Sequence, residues 1–170
     1  MDDIIVIDNF LTEEELTHMS SWSFYKDESW EIHGSSPNGS LKFPDFNTSF
    51  LRKALMDNEY YTSYLFNKIK KFFNQEYKLV DVYLNGQEPS RHGSFHTDAS
   101  ADRTVILYIT PWKPAWGGFT HFMKSEKEHA MVAPLFGRMI NFRSDIIHKA
   151  YSFCNQNCPM RITAAFKLKL

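Results

Sequence analysis

Apolar positions along this chain change rhythm near residue 78. Before it they recur at helical spacing; after it they alternate or cluster in short β-branched and aromatic runs. Ile4 to Ile7 reads as a short buried strand. Asn9-Phe10-Leu11 follows, and Thr12 stands three residues before Glu15, the spacing of a capping box. That box predicts a helix over Glu13–Trp22 with Leu16 and Met19 on one face. A second helix is predicted over Glu59–Asn74. Its apolar stripe is Tyr61, Leu65, Ile69 and Phe72, while Lys68, Lys70 and Lys71 fall largely outside the stripe, as a solvated face would. Between the helices, Asp27 to Asn47 is rich in Gly, Ser, Pro and Asn and has no sustained period. It reads as a long loop. Such loops in compact domains are usually functional, so this one, with Trp30, Gly34 and Gly39, is a candidate lid or substrate clamp.

From Lys78 onward the runs Leu79–Leu84, Thr104–Thr110, Gly118–Phe122, His129–Val132, Arg138–Phe142, His148–Ser152 and Arg161–Leu168 read as strands. Pro111, Pro114, Gly117-Gly118, Pro134 and Pro159 punctuate them. Short strands at regular spacing suggest a sandwich or jelly roll. The expected fold is α+β, one domain over residues 1–170, with N-terminal helices supporting a β-rich body.

Composition narrows the function classes. With 19 Lys and Arg against 20 Asp and Glu, the net charge is −1 and no basic run occurs. Electrostatics therefore give no reason to expect nucleic acid or an anionic membrane as a partner. Aromatic residues make up 16% of the chain, which suits a sheet-rich core or an aromatic-lined cavity. Cys154 and Cys158 stand alone, too few for a disulfide scaffold, and read as two ordinary thiols in a loop rather than a zinc site shared with His148. The acidic N-terminus carries too short an apolar run for a signal peptide, and no stretch approaches a membrane span, so a cytoplasmic protein is expected.

The chemistry sits in the β-rich half. On a strand, residues i and i+2 share a face, so His96 and Asp98 converge on one ion if Ser94–Asp98 is extended. His148 follows the turn-like Arg143-Ser144-Asp145 and can arrive from a facing sheet. Two imidazoles and one carboxylate on one face of a metal form the facial triad of non-haem Fe(II) oxygenases, which leaves open positions for cosubstrate and dioxygen. His-x-Asp alone is a weak signal, and taken singly His96 reads as an ordinary histidine and Asp98 as a turn residue. The ordered set with Arg161-x-Thr163 is far more specific. Arg161 can pair bidentately with a carboxylate, Thr163 can add a hydroxyl on the same strand face, and Tyr108 can project a phenol inward. His18, His33, His121 and His129 find no role as ligands. His92, four residues from His96 on an extended segment, does not converge with it.

These residues resemble the Fe(II)/2-oxoglutarate-dependent oxygenase superfamily, and within it the prolyl 4-hydroxylase-like group. The resemblance runs from Ile5-Val6-Ile7-Asp8-Asn9-Phe10-Leu11 through Val82-Tyr83-Leu84-Asn85-Gly86 and Phe95-His96-Thr97-Asp98. It continues in Leu107-Tyr108-Ile109-Thr110, Trp116-Gly117-Gly118-Phe119-Thr120 and Arg161-Ile162-Thr163. It implies a double-stranded β-helix and an oxidoreductase with iron at His96, Asp98 and His148. It further implies 2-oxoglutarate held by Arg161, Tyr108 and Thr163, dioxygen as oxidant, and ascorbate as a candidate reductant. The implied substrate is a prolyl residue in a peptide or protein. A free amino acid or small metabolite is the alternative, repair of alkylated nucleic acid is disfavoured by the missing basic patch, and a jelly-roll binding module without turnover is the competing class. The chain departs from the group at Phe119, where an acidic residue often follows the Gly-Gly pair, and at Arg161, where collagen-type members use Lys. Lys167 is the only nearby cationic rival to Arg161 as anchor in the closing strand.

Overall fold

The computed structural model describes residues 3–23, 29–34, 49–98 and 100–170. Their order is β1 (Ile4–Ile7), α1 (Glu13–Ser23), β2 (Glu31–Gly34), β3 (Ser49–Ala54), a π-helical turn (Tyr60–Leu65), α2 (Phe66–Phe73) and β4 (Lys78–Gln87). Then come β5 (Arg103–Tyr108), a 3-10 turn (Pro114–Trp116), β6 (Thr120–Met123), β7 (His129–Val132), β8 (Met139–Arg143), β9 (Ile147–Ala150) and β10 (Arg161–Lys169). A seven-stranded sheet runs β1-β8-β5-β10-β4-β3-β2 and faces a three-stranded sheet, β7-β6-β9. All the pairings are antiparallel. This is the two-sheet jelly-roll arrangement with supporting helices that the sequence predicts.

Alternation along β10 shows why the sheet has two different faces. Ile162, Ala164, Phe166 and Leu168 join Val82 and Leu84 of β4 and Val105 and Leu107 of β5 in one buried cluster. Met19 of α1, Leu65 and Ile69 pack into the same cluster, so the helices cover this outer face. Full burial of a Leu or Phe side chain here contributes roughly 1.5–3 kcal/mol. On the opposite face, Arg161, Thr163, Ala165 and Lys167 line a cavity between the sheets. A second cluster, Ile106, Tyr108, Phe122, Val132, Ile140 and Phe142, closes the space between the sheets beside it.

The capping box forms as predicted: Thr12 N donates to Glu15 Oε2 at 2.7 Å and Glu15 N to Thr12 Oγ1 at 3.2 Å. Four expectations change. The second helix opens as a π-helical turn, and Phe72 of its stripe is 50% exposed, with one edge packed against Phe10. Lys68 is not merely solvated; its ammonium reaches both Glu15 oxygens, at 2.6 and 2.7 Å. The 27–47 segment is not loop throughout, because Glu31–Gly34 pairs with β3, itself missed as a strand, and Trp30 packs on the core rather than over a site. The rest of that candidate lid, including Gly39, lies outside the described residues. No described helix is long and apolar enough to cross a membrane.

Candidate metal centre and anion pocket

His96 and His148 face each other across an isolated antiparallel bridge, with both backbone hydrogen bonds formed at 3.0 and 2.9 Å. The bridge attaches the 94–98 segment to β9 at the edge of the small sheet. Asp98 N then donates to Ser144 O at 2.8 Å, which fixes the carboxylate beside both rings. The ligand atoms of His96, Asp98 and His148 lie within 4.8 Å of one another, the one such group of three among the described residues.

Each imidazole is held in one tautomer. His96 Nδ1 lies 2.9 Å from Ser94 O, and His148 Nδ1 lies 2.9 Å from Ile146 O. A carbonyl can only accept, so both Nδ1 atoms carry the proton and both Nε2 lone pairs are free for a metal, the usual outer-sphere support for a metal-binding histidine. Those Nε2 atoms stand 3.7 and 3.5 Å from the Asp98 carboxylate oxygens. Burial pushes His148 down to about 3, so it stays neutral near pH 7, the form that ligates. Burial alone would raise the Asp98 carboxyl. The Lys167 ammonium overrides it and holds Asp98 well below the usual carboxylate range. Two imidazoles with their Nε2 lone pairs free and one ionised carboxylate fit Fe(II).

Arg161, 2% exposed, sits on the same face of β10 as the rest of the cavity lining. Nε donates to Gly118 O at 2.9 Å, NH1 to Gln87 Oε1 at 3.1 Å and NH2 to Thr120 Oγ1 at 3.1 Å. Every one of these partners is a neutral oxygen, and among the described residues no carboxylate pairs with the guanidinium. Burial accordingly depresses its pKa. A buried cation at a cavity wall with only neutral partners is costly, and an anion in the cavity would offset that cost. Gly118 makes the contact possible. Its φ is +80°, and a Cβ there would stand 2.5 Å from the Phe153 ring that roofs the turn.

Tyr108 is fully buried and its hydroxyl lies 2.6 Å from Thr120 Oγ1, so it reaches Arg161 through that threonine and through its ring, 5.4 Å below the guanidinium carbon. Thr163 lines the cavity opposite Tyr108 in the β10–β5 register. Lys167 is no rival anchor, because its ammonium contacts Asp98 Oδ2 at the other end of the strand face. Gln87, Thr120 and Thr104 escaped sequence reasoning. Each is an ordinary polar residue whose strand phase alone could have placed it inward.

The other histidines separate cleanly. His92 Nδ1 accepts from Ser152 N at 3.2 Å, away from the triad. His121, given no role as a ligand, pairs instead with another histidine: Nε2 lies 2.8 Å from Nδ1 of exposed His129 across the β6–β7 pair. His33, placed in a loop by its polar surroundings, belongs to β2 and lines the cavity mouth. Phe119 packs edge-on against Trp112. Both cysteines are free, Cys154 exposed and Cys158 buried.

No family model and no curated protein matches the sequence. Solved structures match along almost its whole length. A 2OG-Fe(II) oxygenase family oxidoreductase from Burkholderia pseudomallei superposes with a TM-score of 0.73 at 11% identity, over 98% of this chain and 84% of that one. The chain has the fold of the 2OG-Fe(II) oxygenases. A prolyl hydroxylase from Trichoplax adhaerens, solved with a hypoxia inducible factor peptide, shares this oxygenase fold with a TM-score of 0.69 at 15% identity, covering 99% of this chain and 84% of that one. HygX from Streptomyces hygroscopicus, solved with nickel, 2-oxoglutarate and hygromycin B, shares it with a TM-score of 0.66 at 12% identity, over 98% and 82%. The same fold thus accompanies a bound peptide in one solved structure and bound hygromycin B in another.

Proposed function

We propose that this chain is an Fe(II)- and 2-oxoglutarate-dependent dioxygenase that hydroxylates an unactivated C–H bond. His96, Asp98 and His148 hold the metal, and Arg161, supported by Tyr108 and Thr163, holds 2-oxoglutarate. The observation that carries this reading is the convergence on one cavity of a triad of metal-ligating donors and a buried guanidinium whose partners are all neutral oxygens. A dicarboxylate that chelates the metal and reaches Arg161 would span the two.

When bound, iron supplies the oxidising chemistry: one atom of dioxygen enters the substrate C–H as a hydroxyl, and the other enters succinate as 2-oxoglutarate loses carbon dioxide. The protein's residues bind, orient and exclude water. His96 and His148, locked by the Ser94 and Ile146 carbonyls, aim their lone pairs at one point. Arg161 orients the cosubstrate through its fork, which Gly118, Gln87 and Thr120 pre-set. The cavity, of roughly 500 Å³, continues past the triad to Phe50, Arg52, Tyr83 and Asn85, where substrate enters.

The preferred substrate is a prolyl residue of a peptide or protein, supported by the sequence resemblance and by the prolyl hydroxylases that share the fold. A small metabolite is the second reading, favoured by a polar mouth in which Arg52 pairs with Asp81 at 2.7 Å. The test is anaerobic visible absorption during addition of Fe(II) and then 2-oxoglutarate. A charge-transfer band should appear only with both, vanish in His96→Ala, and need far more 2-oxoglutarate in Arg161→Ala. Succinate release with prolyl peptides against a metabolite panel then separates the substrate classes. Absence of the band in folded wild type would overturn the proposal.

A further inference from the structure

Among the buried charges that line the cavity, Lys167 alone has no task in the proposed function. Lys167 stands six residues from Arg161 on the same face of β10, about 20 Å along the strand. It is 7% exposed, and its ammonium contacts Asp98 Oδ2 and lies 3.4 Å from Thr104 Oγ1. Thr104 Oγ1 donates to the same Asp98 oxygen at 2.7 Å, and Ser144 Oγ lies 3.0 Å from Thr104 Oγ1. A carboxylate oxygen offers two lone-pair sites. At Oδ2 both are taken, one by the lysine and one by the threonine. Oδ1 has no donor among the described residues and faces His96 Nε2 at 3.7 Å.

We propose that Lys167 is a positioning residue of the metal site: with Thr104 it occupies Oδ2 of Asp98, so that the carboxylate meets the metal through Oδ1 alone. A carboxylate free to offer both oxygens would take up a position that cosubstrate or dioxygen needs. The inference rests on the oxygenase reading and adds to it the residue that keeps the triad open.

Charge and position predict opposite signs. If Lys167 acted only as a nearby cation, removing it would tighten binding of a divalent metal. If it positions Asp98, removing it lets the carboxylate turn out of the orientation that aims Oδ1 at the point shared with the imidazoles, and binding loosens. Co(II) added to metal-free protein serves as the probe, read by chelator competition and by its visible bands. Lys167→Met should weaken Co(II) binding by about 10–100-fold, the usual effect of losing an outer-sphere partner, and alter the bands. Lys167→Arg, which keeps a cationic donor, should stay within a few-fold of wild type. Unchanged or tighter binding by Lys167→Met overturns the proposal. Should that variant fail to fold by near-ultraviolet circular dichroism, Thr104→Val removes the other bond to Oδ2 without changing charge, and it must weaken binding in the same direction or the proposal falls. Wild type that binds no Co(II), or binds it equally in His96→Ala, defeats the oxygenase reading and this inference together. Wild type that needs His96 but is indifferent to Lys167→Met defeats this inference alone.

Discussion

Glu15 and Asp98 are both buried carboxylates gripped by a lysine ammonium and a hydroxyl, and they stand on opposite sides of the large sheet. Around Glu15 the hydrogen bonding closes on itself. Oε1 accepts from Tyr64 and Lys68, and Oε2 accepts from Thr12 N and Lys68. No lone pair is left, so the cluster joins α1 to the second helix and does nothing else. Around Asp98 the bonds crowd onto Oδ2, which also stands 3.5 Å from His148 Nε2, and leave Oδ1 open toward the His96 Nε2 lone pair. Similar residue types thus make a joint in one place and a candidate metal site in the other. What distinguishes them is the acceptor left over, not the ion pair.

Replacement of the two carboxylates should separate these roles. Asp98→Ala is expected to have the largest effect. It removes a metal donor and strands Lys167 as a buried cation, so metal binding should be lost and metal-free stability should fall by about 3–5 kcal/mol. Titration with Co(II) and urea denaturation measure the two losses, and retained metal binding would erase the contrast. Glu15→Ala should cost about 2–3 kcal/mol, since it breaks charged hydrogen bonds and a helix cap, with Lys68 free to regain water. Its Co(II) affinity should remain that of wild type; a change there would mean that the helical joint and the triad are coupled.

The smallest effect is on pH dependence. Burial alone would raise the Glu15 carboxyl, but Lys68, Thr12 N and Tyr64 together hold it below its ordinary 4.5. A depressed carboxyl contributes stability that is fully present above the unfolded value and is lost as pH falls through the folded one. Thermal melts of wild type should therefore decline more steeply below pH 4.5 than those of Glu15→Gln. Equal slopes would show that Glu15 is not held in its charged form.

How far the molecule was legible in its sequence follows from the range of the interactions involved. The capping box, the β1 strand and the alternation of β10 depend on neighbours within a few residues, and each appears where pattern places it. The triad was legible because His-x-Asp is local and His148 follows a turn. Lys167 was visible only as a possible anchor, since nothing near residue 167 tells that Asp98 will lie against it across the sheet. His33 and the strand that carries it were hidden for the same reason: β2 is held by its pairing with β3 rather than by its own composition. The His121–His129 contact likewise needs the β6–β7 register, which no short window contains.

The alternation of β10 has a consequence for how such a protein can change over time. Four of its residues face the helices and four face the cavity, in strict turn, with the register shift coming only after Lys167. Gain or loss of a single residue before that point would exchange the two sets, burying a guanidinium in the oily layer and lining the cavity with Phe166. Descendants of this chain can therefore explore new substrates by substitution at Thr163 and Ala165, but the length of the strand between its two cations is closed to variation.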